Sequence, residues 1–286
     1  MPTIAIIGAG AMGSAVGRRL VDGGARVLTV LEGRSDKTIA RAMDAGMERG
    51  SLADIAQADL ILSIVPPSTA IAVAKSLVGP LAATGKNATF IDFNAISPST
   101  MGEVASVLSK ADCEVLDGSI IGGPPEPGGA GPTFYVSGDP DHRSEVLTSL
   151  QFKVRRIDGP IGAASALKMV YAGISKGTIG LGAAMLLAAA RSGSAESLRT
   201  EMAVSLPEVQ SRLRKSVPSM YPKAYRWVAE MQEIAQFLGP ANPASKVFEG
   251  LAEIFSTFAS DLEGDGDMIS LVNQAMGLEP IPSREV

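Results

Sequence analysis

The chain has 286 residues, enough for two domains of ordinary size with a sizeable core. Hydrophobic residues make up 46% and charged residues 19%, which excludes a disordered chain. The formal net charge is −5 with no basic run, and there is a single cysteine, Cys113. These features argue against nucleic acid or an anionic membrane as partner, and exclude a disulfide framework or a cysteine-rich metal site.

The N-terminal Met-Pro-Thr leads straight into a strand pattern, without a basic segment, apolar stretch and cleavage site. The longest apolar run, Gly177 to Ala190, falls short of the ~20 residues of a membrane span. A cytoplasmic location is the default expectation. Thr3 to Gly8 is an apolar strand, and Ala11 to Asp22 reads as a helix. Arg26 to Leu31 is a second strand, Ile39 to Ala45 is helical, and a short strand at Met47 to Arg49 follows. Leu60 to Val65 is a continuous apolar run stopped by Pro66-Pro67, as suits a parallel strand buried on both faces. Thr89 to Asp92 and Cys113 to Asp117 repeat the theme, with Cys113 as a buried strand residue. Phe134 to Ser137 and Lys153 to Ile157 close the series. Strands separated by helical stretches predict an α/β doubly wound sheet of the Rossmann type over residues 1–160.

After Gly159-Pro160 the strand signal stops, so residues 161–286 are expected to form an all-helical second domain. Ser165 to Arg191 can make one helix of about 40 Å. It carries Gly173, Gly177, Gly180 and Gly182, which would weaken it unless another backbone packs closely there. Further helices read at Glu196 to Ser205, Pro207 to Lys215, Pro222 to Leu238 and Ala244 to Ala259. The tail after Leu278 reads as loose.

The first strand runs into Gly8-Ala9-Gly10-Ala11-Met12-Gly13 and then a helix, the glycine pattern of a dinucleotide-binding turn in its required context. Gly8 permits the tight turn, Gly10 lets the backbone approach a pyrophosphate, and Gly13 lets helix and strand pack closely. Ala11 and Met12 complete the helix N-terminus that would hold the phosphates. The second strand ends in Leu31-Glu32-Gly33-Arg34-Ser35. Glu32 could hold a ribose 2′-hydroxyl and select NAD, whereas Gly33, Arg34 and Ser35 suit the 2′-phosphate of NADP, which is the expectation here.

Ligands of such a sheet bind beyond the carboxyl ends of its strands. Those positions hold Val65-Pro66-Pro67, Asp92 to Pro98 with Asn94, and the glycine- and proline-rich run Asp117 to Pro127, a candidate substrate loop. Hydride transfer to a carbonyl also needs a proton donor. The single histidine, His142, sits in a Gly-Asp-Pro-Asp turn and reads as a surface residue. Lys168, in the apolar context Ala166-Leu167-Lys168-Met169-Val170, is the candidate acid, since burial would lower its pKa toward the working range.

Gly8–Gly13, Asp92 to Pro98, Asp117 to Gly123 and Lys168 together resemble the β-hydroxyacid dehydrogenases, relatives of 3-hydroxyisobutyrate and 6-phosphogluconate dehydrogenases. The Leu-Glu-Gly-Arg-Ser run, Ser165 to Met169 and Ala229 to Ile234 look like an uncharacterised, NADP-binding branch. The resemblance implies that Lys168 is the general acid/base and that the second domain is helical. It also implies a homodimer formed through the long helix 165–191, a use the four glycines would fit. Where the family has a substrate-binding serine this chain has Ile121, leaving Ser119, Gly122 and Gly123 as the substrate-side candidates. Ala172 stands where the family has asparagine, with Tyr171 beside it as a further candidate. Asn94 is the candidate polar contact near the nicotinamide. Tyr225 and Glu230 read as bundle core or surface that could also reach the cleft.

These residues lead to an NADPH-dependent oxidoreductase acting on a small polar carbonyl or hydroxy compound, with no metal. An imine reductase on the same scaffold is an alternative. A second class, an NADPH-binding sensor without turnover, is motivated by the missing serine and asparagine.

Overall fold

The computed structural model describes residues 1–126, 129 and 131–279. The chain divides into two compact units, Met1–Met169 and Val170–Val286. The first is built on an eight-stranded sheet: β1 (Thr3–Ile7), β2 (Arg26–Thr29), β3 (Glu48–Arg49), β4 (Leu60–Ser63), β5 (Thr89–Asp92), β6 (Glu114–Ile121), β7 (Thr133–Ser137) and β8 (Lys153–Arg156). The spatial order is β3-β2-β1-β4-β5-β6-β7-β8, parallel throughout except where β7 runs against β6. Helices α1 (Ala11–Asp22), α2 (Asp36–Asp44), α3 (Leu52–Ala56), α4 (Ala70–Thr84), α5 (Pro98–Leu108) and α6 (Glu145–Ser149) connect the strands. Side chains alternate along each strand, so Ile4 and Ile6 enter one apolar cluster while Ala5 and Ile7 enter another on the opposite face. Burial on both faces is why these strands read as unbroken apolar runs.

The strand expected to end at Asp117 continues four residues further, to Ile121. The start of the expected substrate loop is therefore sheet. Its partner is β7, paired from Asp117↔Ser137 to Ile121↔Thr133. Gly118 is needed inside the strand: a Cβ there would lie 2.5 Å from the Phe93 ring. Phe93 packs edge-on against Phe134, and Phe134 against Phe152, at centroid separations of 5.2 and 5.1 Å. Of the loop that follows, Pro127 lies outside the described residues, as does the tail from residue 280.

Two buried acids meet at the carboxyl edge of the sheet, Asp92 of β5 in register with Asp117 of β6. Asp117 accepts five hydrogen bonds: from the Ser137 and Ser165 hydroxyls and from the backbone N–H groups of Gly162, Ala164 and Ser165. Those three amides lie at the start of α7 (Ala163–Arg191), which has no intrahelical acceptor for them. The helix cap is thus supplied from the sheet, and the first turns of α7 belong to the first unit. Asp92 accepts from the backbone and the side-chain amide of Asn94. Burial, helped by the nearby charge of Asp117, pushes the Asp92 carboxyl up to about 7. Burial also pushes Asp117 up, against the pull of its donors.

The second unit comprises the rest of α7 with α8 (Ala195–Ser205), α9 (Pro207–Met220), α10 (Ala224–Leu238), α11 (Pro243–Glu263) and α12 (Asp267–Ala275). The last of these had no counterpart in the sequence reading. The α7 glycines admit side chains of the same chain, not another backbone: Gly173 and Gly177 face Phe248, Gly180 faces Leu251 and Phe255, and Gly182 faces Leu213. Large apolar residues on α7, including Val170, Tyr171, Ile174, Leu181 and Met185, are exposed. At 29 residues α7 is long and apolar enough, by length and composition, to cross a membrane. The shorter run Gly177–Ala190 had suggested otherwise, because Lys168 and Lys176 interrupt the apolar sequence without ending the helix.

Two predictions follow from this packing. A methyl group on Gly180 would come within 2.7 Å of Leu251 and 2.8 Å of Phe255, whereas one on Gly250 of α11 meets nothing within 4 Å. Denaturant unfolding is expected to show Gly180→Ala destabilised by about 1 kcal/mol net, overpacking outweighing helix propensity, and Gly250→Ala stabilised by up to about 1 kcal/mol. The second concerns Asp92, whose folded pKa near 7 lies above its unfolded value of about 3.9. Its contribution is fully present below pH 4 and is lost as pH rises to about 7, at about 1.4 kcal/mol per unit. Asp92→Asn should flatten the dependence of unfolding free energy on pH across that window.

Candidate active site

The sheet order reverses between β1 and β4, the switch point at which ligands of such sheets bind. Gly8 ends β1 with φ +101°, and a Cβ on it would sit 2.2 Å from the Ile64 carbonyl oxygen and 2.7 Å from Val65 Cγ1. Only glycine lets the two strand ends come this close. A Cβ on Gly13 would lie 2.0 Å from the Gly8 carbonyl oxygen, which fixes α1 directly against the turn. Gly10, at the N-cap of α1, is exposed with open space where a Cβ would go. The first turn of α1 contains no acid, and its amides, including those of Ala11 and Met12, have no intrahelical acceptor. An anionic pyrophosphate fits this backbone and this dipole.

Val65 is held in turn: its N–H donates to Asn94 Oδ1 at 2.6 Å, while Asn94 Nδ2 donates to Ser63 Oγ and Asp92 Oδ2. Both amide hydrogens of Asn94 are therefore engaged inside the sheet edge, where Asn94 is buried. Its side chain braces the Val65-Pro66 turn, a role that the sequence reading, which assigned it a contact with the nicotinamide, did not anticipate. Pro66 is exposed at the tip of that turn.

β2 lies beside β1, so the turn after it leaves the sheet at the same edge. Leu31 is buried, Gly33 takes φ +68°, and Glu32, Arg34 and Ser35 are exposed. Ser35 caps α2 in an extended conformation, with its hydroxyl 3.1 Å from that of Thr38.

Lys168 is half-buried, and its Nζ donates to the Ile120 carbonyl oxygen at 2.7 Å. Its ammonium thus reaches the end of β6, next to Ser119 and just ahead of Gly122 and Gly123. Ser119 is fully buried, and its hydroxyl has no hydrogen-bond partner among the described residues. Ile121 is half-buried, while Gly122 and Gly123 are exposed. Gly122 has φ +129°, and a Cβ there would press on Pro132 at 3.0 Å.

In the second unit Tyr171 is half exposed and Ala172 is buried. Glu230 forms a shielded ion pair with Lys176, whose ammonium also sits 5.0 Å from the Trp227 ring centroid. Burial lowers the Lys176 pKa against the pull of Glu230. Neither Lys176 nor this pairing was found from sequence, because the partners lie 54 residues apart. Tyr225 is exposed, and Tyr221 is buried with its hydroxyl donating to Asn273. His142 lies on the surface, paired with Glu145, and Cys113 is buried just before β6 with its thiol pushed up to about 11 by burial.

Residues 3–158 match the family described as the NAD binding domain of 6-phosphogluconate dehydrogenase, and residues 189–258 match a domain of unknown function, DUF1932. Among solved structures, the conserved protein MTH1747 of unknown function, described as similar to 3-hydroxyacid dehydrogenases, is 25% identical. The match covers 91% of this chain and 98% of that one with a TM-score of 0.66. Mycobacterium tuberculosis 3-hydroxyisobutyrate dehydrogenase, solved with L-serine, is 21% identical over 96% of this chain and 99% of that one, with a TM-score of 0.70. An imine reductase from Myxococcus stipitatus in complex with NADP+ is 17% identical over 92% of this chain and 94% of that one, with a TM-score of 0.60. With its nucleotide-binding unit matched over more than half of the chain, the protein belongs to the β-hydroxyacid dehydrogenase family that includes 6-phosphogluconate dehydrogenase, and is an NAD(P)-dependent dehydrogenase or reductase.

Proposed function

We propose that the protein is an NADPH-dependent reductase of a small polar carbonyl compound, or the corresponding hydroxy-compound dehydrogenase, with Lys168 as its general acid/base. The observation that carries this reading is the half-buried Lys168 ammonium held on the Ile120 carbonyl, at the carboxyl end of the sheet. The dinucleotide supplies the hydride. Gly8, Gly10, Ala11, Met12 and Gly13 hold its pyrophosphate, and Val65 and Pro66 line the turn opposite. Gly33, Arg34 and Ser35 hold the 2′-phosphate, for which an exposed guanidinium beside a hydroxyl is suited.

The substrate lies against Gly122 and Gly123, beyond the buried Ser119 of β6. Lys168 then gives a proton to the carbonyl oxygen as it gains charge, and in the oxidative direction takes it back. Ile121 offers no donor, so a carboxylate is not held at that position as it is in the family's hydroxy-acid enzymes. Two copies pair through the exposed apolar residues of α7.

NADPH oxidation across small aldehydes, keto acids and cyclic imines tests the chemistry. Lys168→Ala is expected to lower kcat by roughly 10²- to 10⁴-fold while remaining folded. Undiminished turnover in that variant would remove Lys168 from its role. An imine as best substrate would identify an imine reductase, and tight NADPH binding without turnover on any compound would favour the sensor. Arg34→Ala is expected to weaken NADPH binding by about ten- to a hundredfold and leave NADH binding within a factor of about two. Equal loss for both nucleotides would overturn the NADP assignment.

A further inference from the structure

We infer that Asp117 is the positioning residue for Lys168, setting where its ammonium stands by holding the first turn of α7 on strand β6. The inference rests on the reading of Lys168 as the acid/base.

Strand β6 grips α7 at two points. At residue 117 the carboxylate takes the Gly162, Ala164 and Ser165 amides at 2.8–3.0 Å and the Ser165 hydroxyl at 2.6 Å. At residue 120 the backbone carbonyl takes the Lys168 ammonium at 2.7 Å. Asp117 and Ile120 are three residues apart on an extended strand, and Ser165 and Lys168 are one helical turn apart. The four residues close a ring with no loop in it. Asp117 cannot wander, because β6 is paired at that residue on both sides, with Asp92 and with Ser137. Ser137 also accepts the Ala164 amide, which doubles the hold.

A cap from the helix's own sequence would satisfy the same amides without burying a carboxylate. A cap from the sheet does something more, since it fixes the rotation and height of α7 relative to β6. A lysine side chain has much rotamer freedom to lose, and a fixed base and a fixed acceptor confine it before substrate arrives.

The test uses the protein saturated with NADPH and needs no identified substrate. Lys168 is acetylated with trace acetic anhydride across pH, and its labelling is read by peptide mass in wild type, Ser165→Ala and Asp117→Asn. Both variants are expected to bind NADPH within about twofold of wild type, because the glycine turn does not touch α7's cap. The limiting labelling rate of Lys168 should rise at least about threefold in both as its ammonium leaves Ile120. Unchanged labelling in folded, NADPH-binding variants would overturn the inference and leave Asp117 a purely structural cap. Should Asp117→Asn fail to fold, Ser165→Ala decides. If labelling changes as expected but Lys168→Ala keeps full turnover, the positioning stands and the acid/base reading falls.

Discussion

The first unit depends on one constraint at its carboxyl edge: the amides that open α7 have no partners within the helix, and a buried carboxylate on the sheet takes them. Removing either side would leave the other costly, an unpaired buried charge on β6 or orphaned amides on α7. Because neither can relax alone, strand and helix keep one relative position. The chain runs 45 residues from Asp117 to the first of these amides, so this contact also closes a long excursion in the unit's second half.

A parallel arrangement operates on the nucleotide side. Asp92 holds Asn94, Asn94 holds the Val65 amide, and Val65 stands against Gly8. The glycine turn is thus backed by a polar chain reaching into the sheet rather than resting on loop stiffness. Asp92 and Asp117 are register neighbours, so the supports of the turn and of the lysine start from adjacent positions. Preorganisation of this kind suits hydride transfer, where donor carbon and proton donor must both be in place before reaction.

What could be read in the sequence was what is locally encoded. An apolar run followed by glycines at the right spacing identified β1, its turn and α1, because each signal lies within a dozen residues. Lys168 was singled out by its apolar context and by the family resemblance. The extent of β6 was not visible, since its extra residues are stabilised by β7, a strand further along, and Gly118 resembles a turn residue until Phe93 is beside it. Asn94 was singled out as a polar contact near the nicotinamide, and its side chain is engaged within the sheet edge. Its partners Ser63 and Val65 are about thirty residues away in sequence, and no local pattern reports which way an amide will turn. The α7 glycines announced a close approach without naming the neighbour, and the neighbour proved to be α11 and α9.

Those glycines also bear on what keeps the middle of α7 helical. Four of them in ten residues lower the intrinsic helicity of that stretch by about 4 kcal/mol relative to alanine. Helix nucleation is already unfavourable, so the segment cannot hold its turns in isolation. It becomes helical when Phe248, Leu251 and Phe255 of α11 cover the hollows that the missing side chains leave. The glycine stretch of α7 is therefore held helical by the surfaces of α11 and α9 and not by its own propensity.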